Sequence, residues 1–233
     1  MNLFYQPQLP QGILHLDADE SRHVVKVLRK KQGDYIRVTD GKGFFYDVVI
    51  NQADPRHCTF DVTKKIQSPS RNFAIHIAIS PTKNADRIEW FVEKSVEFGI
   101  DEITLLECDH TERQHLKVER LEKMAISAMK QSLKAKLPVI HPLTSFQNTI
   151  LSGHASEKYI AHVDSENPNQ LQHIVTAGTS YLVLIGPEGD FSDEELTLAN
   201  TQGFKKISLG PSRLRTETAG LAACHILNLA NTP

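Results

Sequence analysis

The chain has 233 residues, 40% hydrophobic and 23% charged, a composition that suits a soluble globular protein of one large or two small domains. Its 26 Lys and Arg against 28 Asp and Glu leave a net charge of −2, so no global field attracts nucleic acid. Three dispersed cysteines, a first segment without signal-peptide regions and no apolar run near ~18 residues predict a cytoplasmic protein without disulfide framework or membrane partner.

Residues 1–68 read as a small β-rich domain. Tyr35–Thr39 and Phe44–Ile50 are strand-like, and Asp40-Gly41-Lys42-Gly43 between them supplies the positive-φ residues of a hairpin. Cys58–Thr63 reads as another strand, and one short helix spans Asp19 to Leu28. The polar, proline-bearing stretch Gln67–Asn72 is the linker, and a second domain covers residues 73–233. Phe73–Ile79 suits a buried strand. Ile88, Phe91, Val92, Ser95 and Val96 then recur at helical spacing, and Gly99 is placed to end that helix in a left-handed conformation. Ile103–Leu106 is a strand, and Val118–Leu133 a helix stopped by Pro138. Tyr159–Val163, Tyr181–Ile185 and Lys205–Leu209 are strands, with helices near Asn169, at Asp193 and at Glu217. This alternation predicts an α/β fold on a parallel sheet covered on both faces.

Two glycine-bearing turns lie in the last quarter. Leu184-Ile185-Gly186-Pro187-Glu188-Gly189 closes one strand and Leu209-Gly210-Pro211 the next, and Leu214-Arg215-Thr216-Glu217-Thr218-Ala219 opens the final helix. Ligands of open α/β sheets bind outside the carboxyl ends of the strands, so both turns are expected to line one pocket. Ser192 and Glu195 have capping-box spacing, and Asp193 and Glu194 add acid to the same helix start. A phosphate would be repelled there, and neither a P-loop nor a dinucleotide-binding glycine pattern occurs. A neutral or cationic ligand fits better. S-adenosylmethionine is one, with a positive sulfonium and no phosphate. Gly186, Gly189 and Gly210 are expected to let backbone approach its adenine; the alternative is that they only end strands.

Gly186-Pro187-Glu188-Gly189, Leu209-Gly210 and Leu214 to Ala219, in this order and spacing, resemble the RsmE family of ribosomal RNA small-subunit methyltransferases. Val27-Leu28-Arg29 with Gly33-Asp34, Glu93-Lys94 with Glu97-Phe98-Gly99, Glu112-Arg113 and Gln131-Ser132 extend the resemblance over the whole chain. Two positions depart from the family pattern. Asp190 stands where many relatives have glycine, and Leu133-Lys134 replaces Gly-Arg. The resemblance implies a SPOUT-type parallel sheet with a deep trefoil knot, a small N-terminal PUA-like β-barrel and a homodimer. It also implies methylation of uracil N3 in 16S ribosomal RNA of the small subunit, with S-adenosylmethionine as donor. The cofactor residues it implies are Val163, Leu184 to Gly189, Leu209, Gly210, Leu214, Thr216 and Ala219.

For the reaction, Arg215 is expected to stabilise charge developing on the uracil oxygens, and Glu217 to act as base or orienter, set against the equal alternative of an acid that only favours the first helical turn. Thr216 is the expected helix N-cap, and Ala219, Ala222 and Ala223 allow close helix packing. On a helix, Arg22, Lys26 and Arg29 would share one face, with Val24, Val27 and Leu28 opposite, against the barrel. With Lys30 they form the expected RNA-binding stripe, set against the alternative of a plain solvated face. A second basic set, Arg113, Lys117, Arg120, Lys123, Lys130, Lys134 and Lys136, brackets the Val118 helix; RNA contact, with Arg113 first, and an ordinary exposed helix laced with Glu119 and Glu122 are equal readings. Cys108, His110 and His115 are the one local Cys/His cluster and lack a fourth ligand, so no metal is expected. Two other functions compete: ribose 2′-O-methylation by the same superfamily, and a noncatalytic RNA-binding assembly factor.

Overall fold

The computed structural model describes residues 2–113, 116–162 and 169–232. The chain forms two compact units, residues 1–70 with 126–137, and residues 71–125 with 138–233.

In the first unit, β1 (Leu3–Tyr5), β2 (Tyr35–Thr39), β3 (Phe44–Gln52) and β4 (Thr59–Gln67) form one sheet in that spatial order. β1 runs parallel to β2, and the other pairs are antiparallel. Inward-facing Val38, Val48, Ile50 and Phe60 close on Leu16, Val24 and Cys58, all essentially without solvent contact. The β2–β3 turn has Gly41 at φ +72° and Gly43 at φ +101°. Buried Asp40 organises it, accepting from the N–H groups of Lys42 (2.7 Å) and Phe44 (3.2 Å) and from the Tyr46 hydroxyl (3.2 Å). Burial, then the Asp40 charge, pushes the Tyr46 hydroxyl up to about 12.

The helix expected from Asp19 to Leu28 is corrected here. An α-helix, α1 (Ala18–Arg22), passes into a π-helical turn over His23–Val27. The Leu28 N–H reaches back to the His23 carbonyl at 2.9 Å, one residue further than in an α-helix. This wider turn rotates the following side chains. Val27, expected against the sheet, is 66% exposed, while Val25 and Leu28 pack on the core beside Val24. Arg29 has left the helix altogether, at φ +56°. Arg22, Lys26 and Arg29 are all exposed and Lys30 is half-buried, but the first three do not form a single helical stripe.

The second unit is a six-stranded parallel sheet. Its strands are β5 (Ala74–Ile79), β6 (Glu102–Glu107), β7 (Val139–Ser145), β8 (Glu157–Ala161), β9 (Ser180–Ile185) and β10 (Lys205–Ile207), in the order β10-β8-β9-β5-β6-β7. The helices are α2 (Ala85–Phe98), α3 (Val118–Gln131, whose residues 126–131 belong to the first unit), α4 (Phe146–Ser152), α5 (Leu171–Ile174), α6 (Asp193–Thr201) and α7 (Thr216–Ala230). Asn84 caps α2, accepting from the Asp86 N–H, and Gly99 ends it at φ +96°. Alternation along β5 divides the faces. Buried Ile75, Ile77 and Ile79 share one face, where Ile79 meets Gly220 of α7, while Ala78 joins Leu106, Phe146, Ile150, Leu184 and Phe191 on the side of α4 and α6. The close approach expected of three alanines in α7 falls to Gly220, where an added Cβ would lie 2.7 Å from Phe91 and 2.9 Å from Ile79. Leu133, one of the two non-glycine departures, adopts φ +55°, so the glycine-type backbone persists without glycine.

Candidate active site

The carboxyl ends of β8 and β9 and the first turn of α7 enclose a cavity of about 400 Å³. Ile185, Gly186, Pro187, Glu188 and Asp190 form one wall, and Arg213 to Thr216 with Ala219 form another. Thr216 ties the walls together: its buried hydroxyl donates to the Gly186 carbonyl at 3.1 Å. This corrects the expected cap. The N-cap is Arg215, in extended conformation, and no side chain caps the helix. Thr216 is the first helical residue, and its hydroxyl is already used by the Gly186 turn.

The start of α6 is built differently. Ser192 and Glu195 form a complete capping box. Ser192 also donates to Asp109 at 2.6 Å, and Glu195 accepts from the Asp109 N–H at 3.0 Å. Burial pushes Glu195 up from the ordinary carboxylate range, while the N–H bonds from Ser192 and Asp109 pull against it. Burial beside Glu195 also pushes the Cys108 thiol up, which leaves it a poor thiolate. His110 packs against Gly189, and its Nδ1 lies 3.0 Å from the Asp190 carbonyl. His115, third member of that Cys/His cluster, lies outside the described residues.

The glycines divide by cause. A Cβ on Gly186 would meet the Phe191 ring at 3.1 Å, and one on Gly189 would meet His110 at 3.2 Å. Both are small for internal packing. Gly210 is conformational, at φ +126°. Asp190 holds φ +62°, a conformation that Asp tolerates better than most side chains. Its Oδ1 accepts from the Phe191 N–H at 2.8 Å. Its Oδ2 lies 2.9 Å from His162 Nδ1, at ion-pair distance but outside hydrogen-bond alignment.

Arg215 is exposed at the cavity rim and has no ion-pair partner among the described residues. Glu217 is 7% exposed and, among the described residues, is absent from the cavity lining. Its Oε1 lies 3.9 Å from Arg87 Nε on α2, and its Oε2 has no hydrogen-bond partner. Arg87 was invisible to sequence reasoning because nothing in local spacing links the start of α2 to the start of α7. Leu184 is fully buried in the sheet core, Leu209 and Gly210 are half-buried after β10, and Val163 lies outside the described residues.

Three cations of the second basic set have partners within the protein. Arg113 donates to the Lys83 carbonyl at 2.8 Å, in the β5–α2 turn, and Lys83 pairs with Glu112 at 2.9 Å. The Lys83 N–H donates to Glu188 at 3.3 Å, joining that turn to the cavity wall. Arg120 pairs with Glu89 at 2.6 Å, and Lys130 with Glu20.

The cavity thus offers backbone edges, two arginines, and carboxylates suited to a cation. Residues 69–228 match the RNA methyltransferase domain family, and residues 16–63 the RNA methyltransferase PUA domain. The ribosomal RNA small subunit methyltransferase E of Buchnera aphidicola is 30% identical, covering 95% of this chain and 90% of its own. Its namesake in Bacillus subtilis is 26% identical, covering 89% and 86%. Among solved structures, a "probable rRNA-methyltransferase" from Porphyromonas gingivalis matches with a TM-score of 0.93 at 45% identity, over 99% of this chain and 98% of that one. A Legionella pneumophila chain assigned as a methyltransferase and solved with SAM matches with a TM-score of 0.86 at 25% identity, over 99% and 98%. The chain belongs to the ribosomal RNA small subunit methyltransferase E family.

Proposed function

We propose that this chain transfers the methyl group of S-adenosylmethionine to N3 of a uridine in 16S RNA of the small ribosomal subunit. The observation that carries this reading is the cavity where the Gly186 turn and the Arg215 turn meet, tied by Thr216. Gly186, Pro187, Glu188, Leu214 and Ala219 around that cavity would hold S-adenosylmethionine, which would supply an electrophilic methyl group. The N3–H proton leaves to a base, the N3 lone pair forms the new bond to carbon, and the carbon–sulfur bond pair returns to sulfur. Arg215, exposed and without an ion-pair partner among the described residues, donates to the uracil oxygen on which negative charge grows. Holding the methyl carbon and N3 in line supplies much of the rest, on the order of 7–11 kcal/mol in well-oriented systems.

Glu217, read either as base or orienter or as a plain acid in the first helical turn, is placed in that first turn, and its position supports orienting over proton abstraction. Its carboxylate turns to Arg87 rather than into the cavity, which makes it a positioning residue for the first turn of α7. The exposed cations Arg22, Lys26 and Arg29, with Lys30, form the RNA-facing surface of the N-terminal unit, as a patch rather than a helical stripe. The trefoil knot, the homodimer and a cytoplasmic location belong to this proposal.

Methyl transfer from labelled cofactor to unmodified small subunits, with the product nucleotide mapped by mass spectrometry, tests the reading. Methyl on a uracil base is expected. Methyl on ribose, or none, would overturn it in favour of the 2′-O or the noncatalytic alternative.

A further inference from the structure

We propose that His76, Glu102 and His141 form a site for a divalent metal of the zinc class, away from the methyl-transfer cavity, toward the amino ends of the central strands. Strand geometry creates the cluster. Residues two apart on a strand share a face, so Glu102 and Thr104 of β6 point the same way. Parallel register sets His76 of β5 beside Glu102, and His141 of β7 beside Thr104. Three neighbouring strands thereby bring two imidazoles and a carboxylate to one place, with their ligand atoms all within 4.8 Å of one another.

His141 Nε2 lies 3.0 Å from Glu102 Oε2. This is a hydrogen bond, and two donors of a tetrahedral ion at about 2.0–2.2 Å lie only slightly further apart, at about 3.3–3.6 Å, so a small opening of the pair admits the ion. His76 Nε2 lies 2.8 Å from Thr104 Oγ1, the kind of outer contact that orients a ligand ring. All three residues are half-buried and line a cavity of about 460 Å³, which gives a fourth, solvent-filled position room. Three protein ligands with one open position is the arrangement of accessible zinc sites. A bound ion would cross-link β5 and β6 to the edge strand β7, which the hydrogen-bond ladder holds from one side only. Each ligand sits on a different strand, so no spacing motif announced the site.

The test uses the full chain, stripped with chelator and titrated with zinc by calorimetry and with cobalt by visible absorption. One equivalent per chain is expected, with cobalt bands of a nitrogen- and oxygen-ligated ion. His141→Ala and Glu102→Gln should each weaken binding by at least about tenfold, on the scale seen when metal sites lose a partner. Both should keep the circular dichroism and metal-free melting of the parent. A double variant of the exposed His57 and His173, far from the cluster in sequence, should bind as the parent does. Absence of saturable binding, or parental affinity in both ligand variants, would overturn the proposal.

Discussion

The starts of α6 and α7 look alike in the sequence and are opposite in the structure. Each follows a parallel strand and a glycine-bearing turn, and each carries acid in its first turn. The α6 start is closed: Ser192 and Glu195 cap each other, and Asp109 braces both. The α7 start is open: no side chain caps it, Arg215 and Thr216 line the cavity, and the arginine stays exposed. A saturated helix end has nothing left to offer a ligand, whereas an open one beside a cavity does. In the proposed function, the difference makes α6 architecture and gives α7 the chemistry.

That contrast can be broken by substitutions on either side. The largest effect is expected at Arg215→Ala, which should slow single-turnover methyl transfer by about 10²–10³-fold, the scale of losing a transition-state donor. Cofactor affinity should stay within about twofold, and a parental rate would remove the arginine from the mechanism. Thr216→Val comes next. Losing the bond to the buried Gly186 carbonyl should cost about 1–3 kcal/mol in urea unfolding and weaken cofactor binding with it. Unchanged binding would show that the two turns do not need each other.

On the α6 side, Ser192→Ala should cost about 1 kcal/mol of stability, the usual value of a lost N-cap, with the methyl-transfer rate unaltered. A rate loss larger than the stability loss would give α6 a share in the chemistry. Smallest is Asp190→Gly. Relief of a left-handed side chain offsets the lost bond to Phe191, so melting should shift by less than the equivalent of about 1 kcal/mol.

Legibility in the sequence followed the strength of local patterning. The buried strands β5, β6 and β9 are mostly apolar runs and needed no tertiary information. β7 escaped because it is an edge strand with Pro142 inside it, where the apolar run breaks. β1 escaped because three residues cannot show alternation. The π-helical turn at His23–Val27 defeated helical-wheel reasoning, since that wheel assumes 3.6 residues per turn. At the site, the cavity walls were readable from the glycine turns. The roles within them were not: Thr216 bonds a carbonyl rather than capping, and Glu217 faces Arg87 from another helix. Gly186 lines the cavity, and it and Gly189 also lie close against Phe191 and His110, contacts that the sequence did not show.

The central claim is that the cavity between the two turns holds the cofactor. Ala219 lines it and is half-buried on α7, so Ala219→Phe fills it without entering the core. Calorimetric titration of S-adenosylmethionine into the parent and into Ala219→Phe tests the claim most directly. Saturable binding to the parent and at least about a tenfold loss in the variant, with unchanged circular dichroism, is the predicted result, since tenfold corresponds to about 1.4 kcal/mol. Equal affinity in the two proteins would contradict the account.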